Sequence, residues 1–396
     1  MANTYTALIP TILSEALEVL RESAATITAV NQGYSASAQS VGNSITIPVP
    51  VSQTAAAVTP SNTAPANTDQ TPTTGSVNLD HWQKTDFQMS DKDAREIERG
   101  RYKNTQSAEA VRALANKIDA DLFASAHDAV DNTNGVAQHV GTAGTTPFAT
   151  EALLATAWQK GARKLLNQGL ARSGDRFVVV DEDAEGNLGS LAMFTDADRR
   201  GDQGGIIEGE IGRKLGATWL MNQNVPTFTG GTLTDGSNKA ALINGAVAAG
   251  ATTMAIDESS LSGTLVTGDV FTVASVTGYF MVTNGTLTAA SNALAGINFY
   301  PAAPTGGFGD NAAVTFAGDH VLNMAFHKNA FALAFAPAEQ PDGFSGGNII
   351  ERMTDPQTGI TLELEVSREY KQTTWRFSVL YGVACPRPEL ACRILG

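Results

Sequence analysis

Val111, Leu114, Ile118 and Leu122 recur at three- and four-residue spacing, and Ala126 and Val130 continue the stripe. That period predicts an amphipathic α-helix over 105–130. Glu109, Arg112, Asn116, Lys117, Asp119 and Asp121 fall mostly off the stripe, and Asn132 and Gly135 supply a stop. At about 1.5 Å per residue the helix would run roughly 39 Å, the width of a domain. A second stripe, Leu13, Leu17, Leu20 and Ala24, predicts a short helix over 8–24 with Pro10 in its first turn. Glu15, Glu18 and Glu22 form an acidic face on it. That face reads either as solvated or as a docking face for a basic partner helix.

Elsewhere the period falls to two. Ile45, Ile47, Val49 and Val51 alternate as a strand, which Pro48 and Pro50 confine to an edge. Residues 52–75 are then almost all Ser, Thr, Ala, Pro, Gln and Asn, with Asp69 the one charge. Such a composition builds no packed core. Val77 and Leu79 resume the alternation, and Trp82, Phe87 and Met89 follow. Strand, long uncharged loop and strand predict an extended two-stranded arm, which needs a neighbour to lie on.

Ser90 is placed to cap a short helix reaching Arg99. Thr150 opens another, with Leu154, Trp158, Ala162 and Leu165 on one face and Gly169 as its stop. Phe177–Val180 reads as a buried strand, 188–194 as one or two helical turns, and 199–205 as a polar loop. Between 226 and 318 short apolar strands are separated by glycine turns such as Gly268-Asp269 and Asn284-Gly285, and no helical period persists after Ala249. This texture predicts a small all-β barrel or sandwich inserted into an α+β chain. Residues 329–335 return to strand. Ile360, Leu362, Leu364 and Val366, then Trp375, Phe377, Val379, Tyr381 and Val383, make a hairpin with one apolar face, for which the long helix is the natural cover.

A length of 396 residues allows two or three domains. A formal charge of −14 argues against a general nucleic-acid binder, which carries a basic excess. Cys385 and Cys392 lack a zinc spacing, and the five histidines (His81, His127, His139, His320, His327) form no pair at metal spacing, so no metal or other cofactor is expected. The N-terminus has no secretory pattern, and no run of about 18 apolar residues predicts a membrane span. These features lead us to expect a protein made and kept in a cytoplasm, its cysteines free and buried.

Candidate chemistry is thin. Gly343-Phe344-Ser345-Gly346-Gly347 matches a nucleophile elbow, but Pro341-Asp342 replace the required strand, and no histidine follows. Asp181, Asp183, Glu185 and Gly186 resemble the start of a calcium loop, yet position twelve is Ala192, which favours a solvated turn. Lys160, Arg163 and Lys164 make a basic helical patch, read as a solvated face or as a contact for an acidic protein or nucleic acid. No Walker lysine motif or G-x-G-x-x-G is present. The expectation is a protein that is not an enzyme.

Gly209-Glu210-Ile211-Gly212-Arg213-Lys214-Leu215-Gly216, leading to Asn222-Gln223-Asn224-Val225-Pro226, resembles the stretch that precedes an inserted domain in a family of phage coat proteins. Gly268-Asp269-Val270-Phe271-Thr272-Val273 is similar to the start of that insertion's core. The segments 376–383 and 387–391 are similar to the family's ending. The family is the major capsid proteins of short-tailed double-stranded-DNA phages, with the Johnson fold (the Hong Kong ninety-seven type) plus an inserted β-barrel domain, and the resemblance covers nearly the whole chain. It implies an α+β fold divided as N-terminal arm 1–43, extended β loop 44–89, spine helix and peripheral domain 90–149, axial domain 150–225, inserted barrel 226–318, and an axial and peripheral return with the hairpin at 319–396.

The resemblance also implies an icosahedral virion shell of hexamers and pentamers, assembled in a host cytoplasm with a scaffolding protein. A portal at one vertex and double-stranded DNA packaged without sequence specificity belong to the same picture, and no membrane does. Val58, Pro60, Pro65, Pro72 and Trp82 are then candidate contacts between subunits, and Glu15, Glu18 and Glu22 a candidate scaffold contact. The loop tip has no lysine for an isopeptide crosslink, and Lys84 at its base is the nearest candidate. The insertion is short for the family. The competing readings are an encapsulin-like nanocompartment shell and a β-rich adhesin or decoration protein.

Overall fold

The computed structural model describes residues 12–14, 16, 26–34, 42–49, 55, 57–58, 60, 73–92, 101–127, 139–145, 147–169, 174–195, 211–338, 348–354 and 359–396. Its longest helix, Arg101–His127, is the spine that the hydrophobic period predicts, beginning four residues earlier. Val111, Leu114, Ile118 and Leu122 are all buried on it, joined by Ala115 and Phe123. Val130 and the expected stop at Asn132 and Gly135 lie outside the described residues, as do residues 93–100, where the Ser90-capped helix was expected. Of the expected N-terminal helix, Ile12–Ser14 and Ala16 are described as helical, and Ile12, Leu13 and Ala16 are buried in the same core as the spine.

The spine covers a five-stranded sheet. Its centre is the hairpin of Thr361–Glu369 and Gln372–Ala384, closed at Tyr370–Lys371 with Lys371 left-handed (φ 57°). Ile360, Leu362, Leu364, Trp375, Phe377, Val379 and Tyr381 share one cluster with the spine's apolar stripe. Three further strands flank the hairpin: Ile349–Thr354, Ala332–Ala336 and His81–Ser90. The last differs from the sequence expectation. Residues 81–90 pair along Gln372–Tyr381 and build the sheet, so the arm ends near Leu79. Their apolar residues alternate whichever neighbour they pair with, so pattern alone could not assign the partner.

The base of the arm is two-stranded, and its return strand begins at Thr73, inside the stretch read as loop. Ser44–Val49 runs antiparallel to Thr73–Asn78. Ile45, Ile47, Val77 and Leu79 turn one way and lie on Ala332, Ala334 and Ala336. The neighbour beneath the arm's base is therefore the chain's own small-residue strand, where alanines let the two layers approach.

Behind the first sheet stands an α/β body. Its sheet runs, in order, His139–Gly141, Ala391–Leu395, His320–His327, Arg176–Val180, Ala217–Met221 and Arg213–Lys214, with Thr227–Phe228 also pairing His320–His327. His139–Gly141 is parallel to Ala391–Leu395, and Arg176–Val180 to Ala217–Met221. The strand His320–His327 was not predicted. It is buried on both faces, so it lacks alternation. Asn323 in its middle is also buried, accepting a bond from the Asp181 amide (2.7 Å).

The helix from Thr150 forms as predicted, with the Leu153 amide donating to Thr150 Oγ1 (3.3 Å). Its middle, Ala155–Ala162, is π-helical between the α segments Glu151–Leu154 and Arg163–Gly169. The wider turn keeps four-residue spacing on one line, so Leu154, Trp158, Ala162 and then Leu166 are buried, with Leu165 only partly so. Residues 181–186 form no calcium-type turn. Glu182–Ser190 is a helix, followed by Ala192–Thr195. Glu182, Asp183 and Glu185 occupy its first turn, where the helix dipole favours acids, and Gly186 and Gly189 masked the helical signal.

The texture between 226 and 318 resolves into a closed six-stranded barrel, ordered 253–257, 293–300, 280–282, 270–273, 313–316 and 240–243. Phe271, Phe280, Phe299, Phe308 and Phe316 fill it, with ring centroids 5.0–5.9 Å apart. The chain leaves the body at Thr227–Phe228 and returns at His320–Val321, and these two segments are hydrogen-bonded to each other. The barrel is therefore spliced between adjacent strands and has a core of its own.

Candidate assembly surfaces

The sequence-predicted subunit contacts divide in two. Val58 is 93% exposed, and Pro60 is exposed with it. Pro65, Pro72 and most of the arm's tip lie outside the described residues, as do Glu15, Glu18 and Glu22, the elbow-like 343–347 and the polar loop 199–205. Trp82 sits elsewhere, on the outer face of the five-stranded sheet, opposite Leu380 and 67% exposed. An indole that open leaves much of a large apolar surface in water.

The rest of that outer face is a ladder of charges. Lys84 Nζ lies 3.5 Å from Asp86, Arg376 lies 3.7 Å from Glu365, and Arg352 donates to Glu363 at 2.6 Å. Lys84, the crosslink candidate, is thus a strand residue beside a carboxylate. The inner face is held differently. Tyr381 donates its hydroxyl to Asp121 on the spine (2.5 Å), and the His81 ring stacks on Tyr381 at 5.2 Å. Burial holds the Tyr381 phenol above its ordinary range.

A polar knot ties three distant segments together. Asn222 donates from Nδ2 to Thr26 Oγ1 (2.5 Å) and to Asp119 Oδ2 on the spine (2.7 Å). Asn222 Oδ1 accepts from the Asn224 amide (2.8 Å), while Asn224 reaches Asn116 at 3.1 Å. Asp119 is buried, and its Oδ1 has no hydrogen-bond partner. Burial pushes its pKa up to about 6, and the hydrogen bond from Asn222 only partly opposes this. A carboxyl raised in the folded state holds its proton there, so stability declines as pH rises from about 4 through about 6. The full shift corresponds to about 3 kcal/mol. Asp119→Asn keeps the acceptor for Asn222 but strands an amide where Oδ1 was. We expect a net gain of about 1–2 kcal/mol at pH 7 and no decline between pH 4 and 6. Urea melts at pH 4, 5, 6 and 7 read both effects, and an unchanged slope would contradict the assignment.

The predicted basic patch also has a place. Lys160 and Lys164 line a cavity of about 480 Å³ between the body and the barrel. Val140, Phe148, Leu153, Ala157 and Leu395 supply apolar wall, and Thr277–Tyr279 of the barrel close one side. Tyr279 bridges the two by donating its hydroxyl to the Gly141 carbonyl. Gly161 lets the π segment approach the strand, since a Cβ there would lie 2.8 Å from Val140 Cγ1. Sequence reasoning found the two lysines but not the cavity, because its walls come from four separated stretches of chain.

Cys385 and Cys392 are free and buried, as expected, and burial pushes both thiols up. Among the described residues no group of three His, Cys, Asp or Glu side chains could hold a metal ion, and no helix is long and apolar enough to cross a membrane.

No family model and no curated protein matches the chain. Solved structures do. The chain is similar to one from Mycobacterium phage Che8 at 16% identity, covering 92% of this chain and 89% of that one with a TM-score of 0.49. It is similar to the capsid structure of cyanophage P-SCSP1u at 16% identity, covering 90% and 84% with a TM-score of 0.49. It is similar to the asymmetric unit of the mature capsid of bacteriophage PhiM1 at 12% identity, covering 90% and 83% with a TM-score of 0.45. All three are phage structures, and two are capsids.

Proposed function

We propose that this chain is a phage major capsid protein that assembles with copies of itself into the closed icosahedral shell around a double-stranded DNA genome. The observation that carries this reading is the arm. A two-stranded ribbon whose base lies on the chain's own alanine strand, with Val58 almost wholly in water and a charge-poor sequence beyond it, makes sense when a neighbour covers it. The exposed Trp82 on a charge-paired sheet face points the same way. The order of parts agrees with what the sequence resemblance implies: arm, spine helix on a hairpin sheet, α/β body and inserted barrel. In this reading hexamers and pentamers form the shell, and a scaffolding protein docks at Glu15, Glu18 and Glu22. A portal fills one vertex, and the enclosed DNA is packaged without sequence specificity.

The test is negative-stain microscopy and sedimentation of the purified chain, alone and with the small gene product encoded beside it. Closed shells of uniform diameter are expected. A dispersed monomer under both conditions would overturn the reading.

A further inference from the structure

Two features described above have matching chemistry. One is a knob: Trp82 stands out of the outer sheet face, and Asp80 beside it is also exposed, next to the His81 ring (3.4 Å). The other is a hole: the cavity of about 480 Å³ between body and barrel, apolar in its walls and carrying Lys160 and Lys164. That volume lies within the roughly 300–1,000 Å³ that takes a ligand of indole size or larger. The two lysines are four residues apart, on one helix face. Neither has a carboxylate within ion-pair range among the described residues. Two cations without a carboxylate partner among the described residues sit beside an apolar cavity on a chain of net charge −14.

We infer that Trp82 of one copy seats in this cavity of a second copy, with Asp80 facing Lys160 and Lys164. The occupant is thus this chain itself, and the inference rests on the shell reading while naming one of its contacts. Knob and hole lie on different parts of the chain: Trp82 is on the spine-covered sheet, and the hole is at the junction of body and barrel. Such a contact is head-to-tail, the kind that generates rings where the rotation closes. The charges set register and orientation, and the indole supplies the buried area.

The experiment places a photocrosslinker at the knob, Trp82→p-benzoylphenylalanine in the full chain, and maps the crosslinked peptides by mass spectrometry. Asp80→Lys and the pair Lys160→Asp with Lys164→Asp are made alongside, then combined. All of these positions are at the surface or cavity rim, and thermal melts check that the fold is kept. Crosslinks to 140–165 or 277–279 of a second copy are expected. Each charge reversal should lower the associated fraction about tenfold, and the combined variant should restore it. Closed shells whose crosslinks map elsewhere would overturn this contact and leave the shell reading standing. Crosslinks in the cavity from small rings without shells would support the contact and overturn the shell. A combined variant no better than its parents, or a chain that never associates, would overturn the contact.

Discussion

Phe377→Ala is expected to lower unfolding stability by about 3–5 kcal/mol, a large share of what a domain of this kind possesses. Phe377 is fully buried at the centre of the hairpin, opposite Leu364 on one side and Thr85 on the other. Its ring lies in the cluster that joins the sheet to Val111, Leu114 and Ile118 of the spine. Truncation removes the transfer energy of the ring and leaves a void between two rigid layers that cannot collapse onto it. Arg376, one residue before, faces outward with a 2.9 Å bond to Ser367 and Glu365 at 3.7 Å. Arg376→Ala should cost about 1 kcal/mol or less. The barrel shares no residue with the spine's cluster, so its own transition should not move in either variant. Denaturant unfolding followed by hydrogen exchange separates the two units. A barrel that loses protection together with the sheet would show that the cores are not independent.

The contrast between Phe377 and Arg376 is also the part of the fold most legible in the sequence. A hairpin with one apolar face and a helix with one apolar stripe define each other through periods of two and 3.6, and both periods stand in the sequence. The barrel was legible for a related reason: turn glycines and short strands recur without any helical period. What escaped had lost its period. His320–His327 is covered on both faces and carries Asn323 in its middle, so it reads as neither strand nor helix. Glu182–Ser190 contains two glycines, and its acids imitate a cation loop. Strand 81–90 was recognised as extended, but a period says which face is apolar and not which neighbour is paired. The surfaces were less legible than the fold. Trp82 was singled out from sequence, yet its exposure depends on lying at the outer face opposite Leu380. The cavity and the Asp119 knot are assembled from residues more than a hundred positions apart, such as Thr26 with Asn222, which no local pattern brings together.

Removing residues 55–72 is expected to leave the subunit folded and to reduce shell assembly at least about tenfold. The last pair of the arm is Val49 with Thr73, so the deletion leaves 50–54 as a five-residue loop, a length that antiparallel hairpins accept. The apolar contacts of the arm's base, Ile45, Ile47 and Val77 on the alanines of 332–336, are untouched. The melting profile should therefore stay close to that of the parent chain. Assembly should differ because, in the proposed shell, each copy presents an arm and receives one. A loss of only about 1.4 kcal/mol per contact is tenfold for a pair, and it compounds as contacts multiply around a closed shell. The deletion thus separates folding from association: circular dichroism and melting should be unchanged, while sedimentation shifts from shells to free subunits. Normal shells would mean that the arm is dispensable and that the sheet face and barrel carry the contacts alone. A chain that no longer folds would mean instead that residues 55–72 pack within their own subunit, against the reading that another copy covers them.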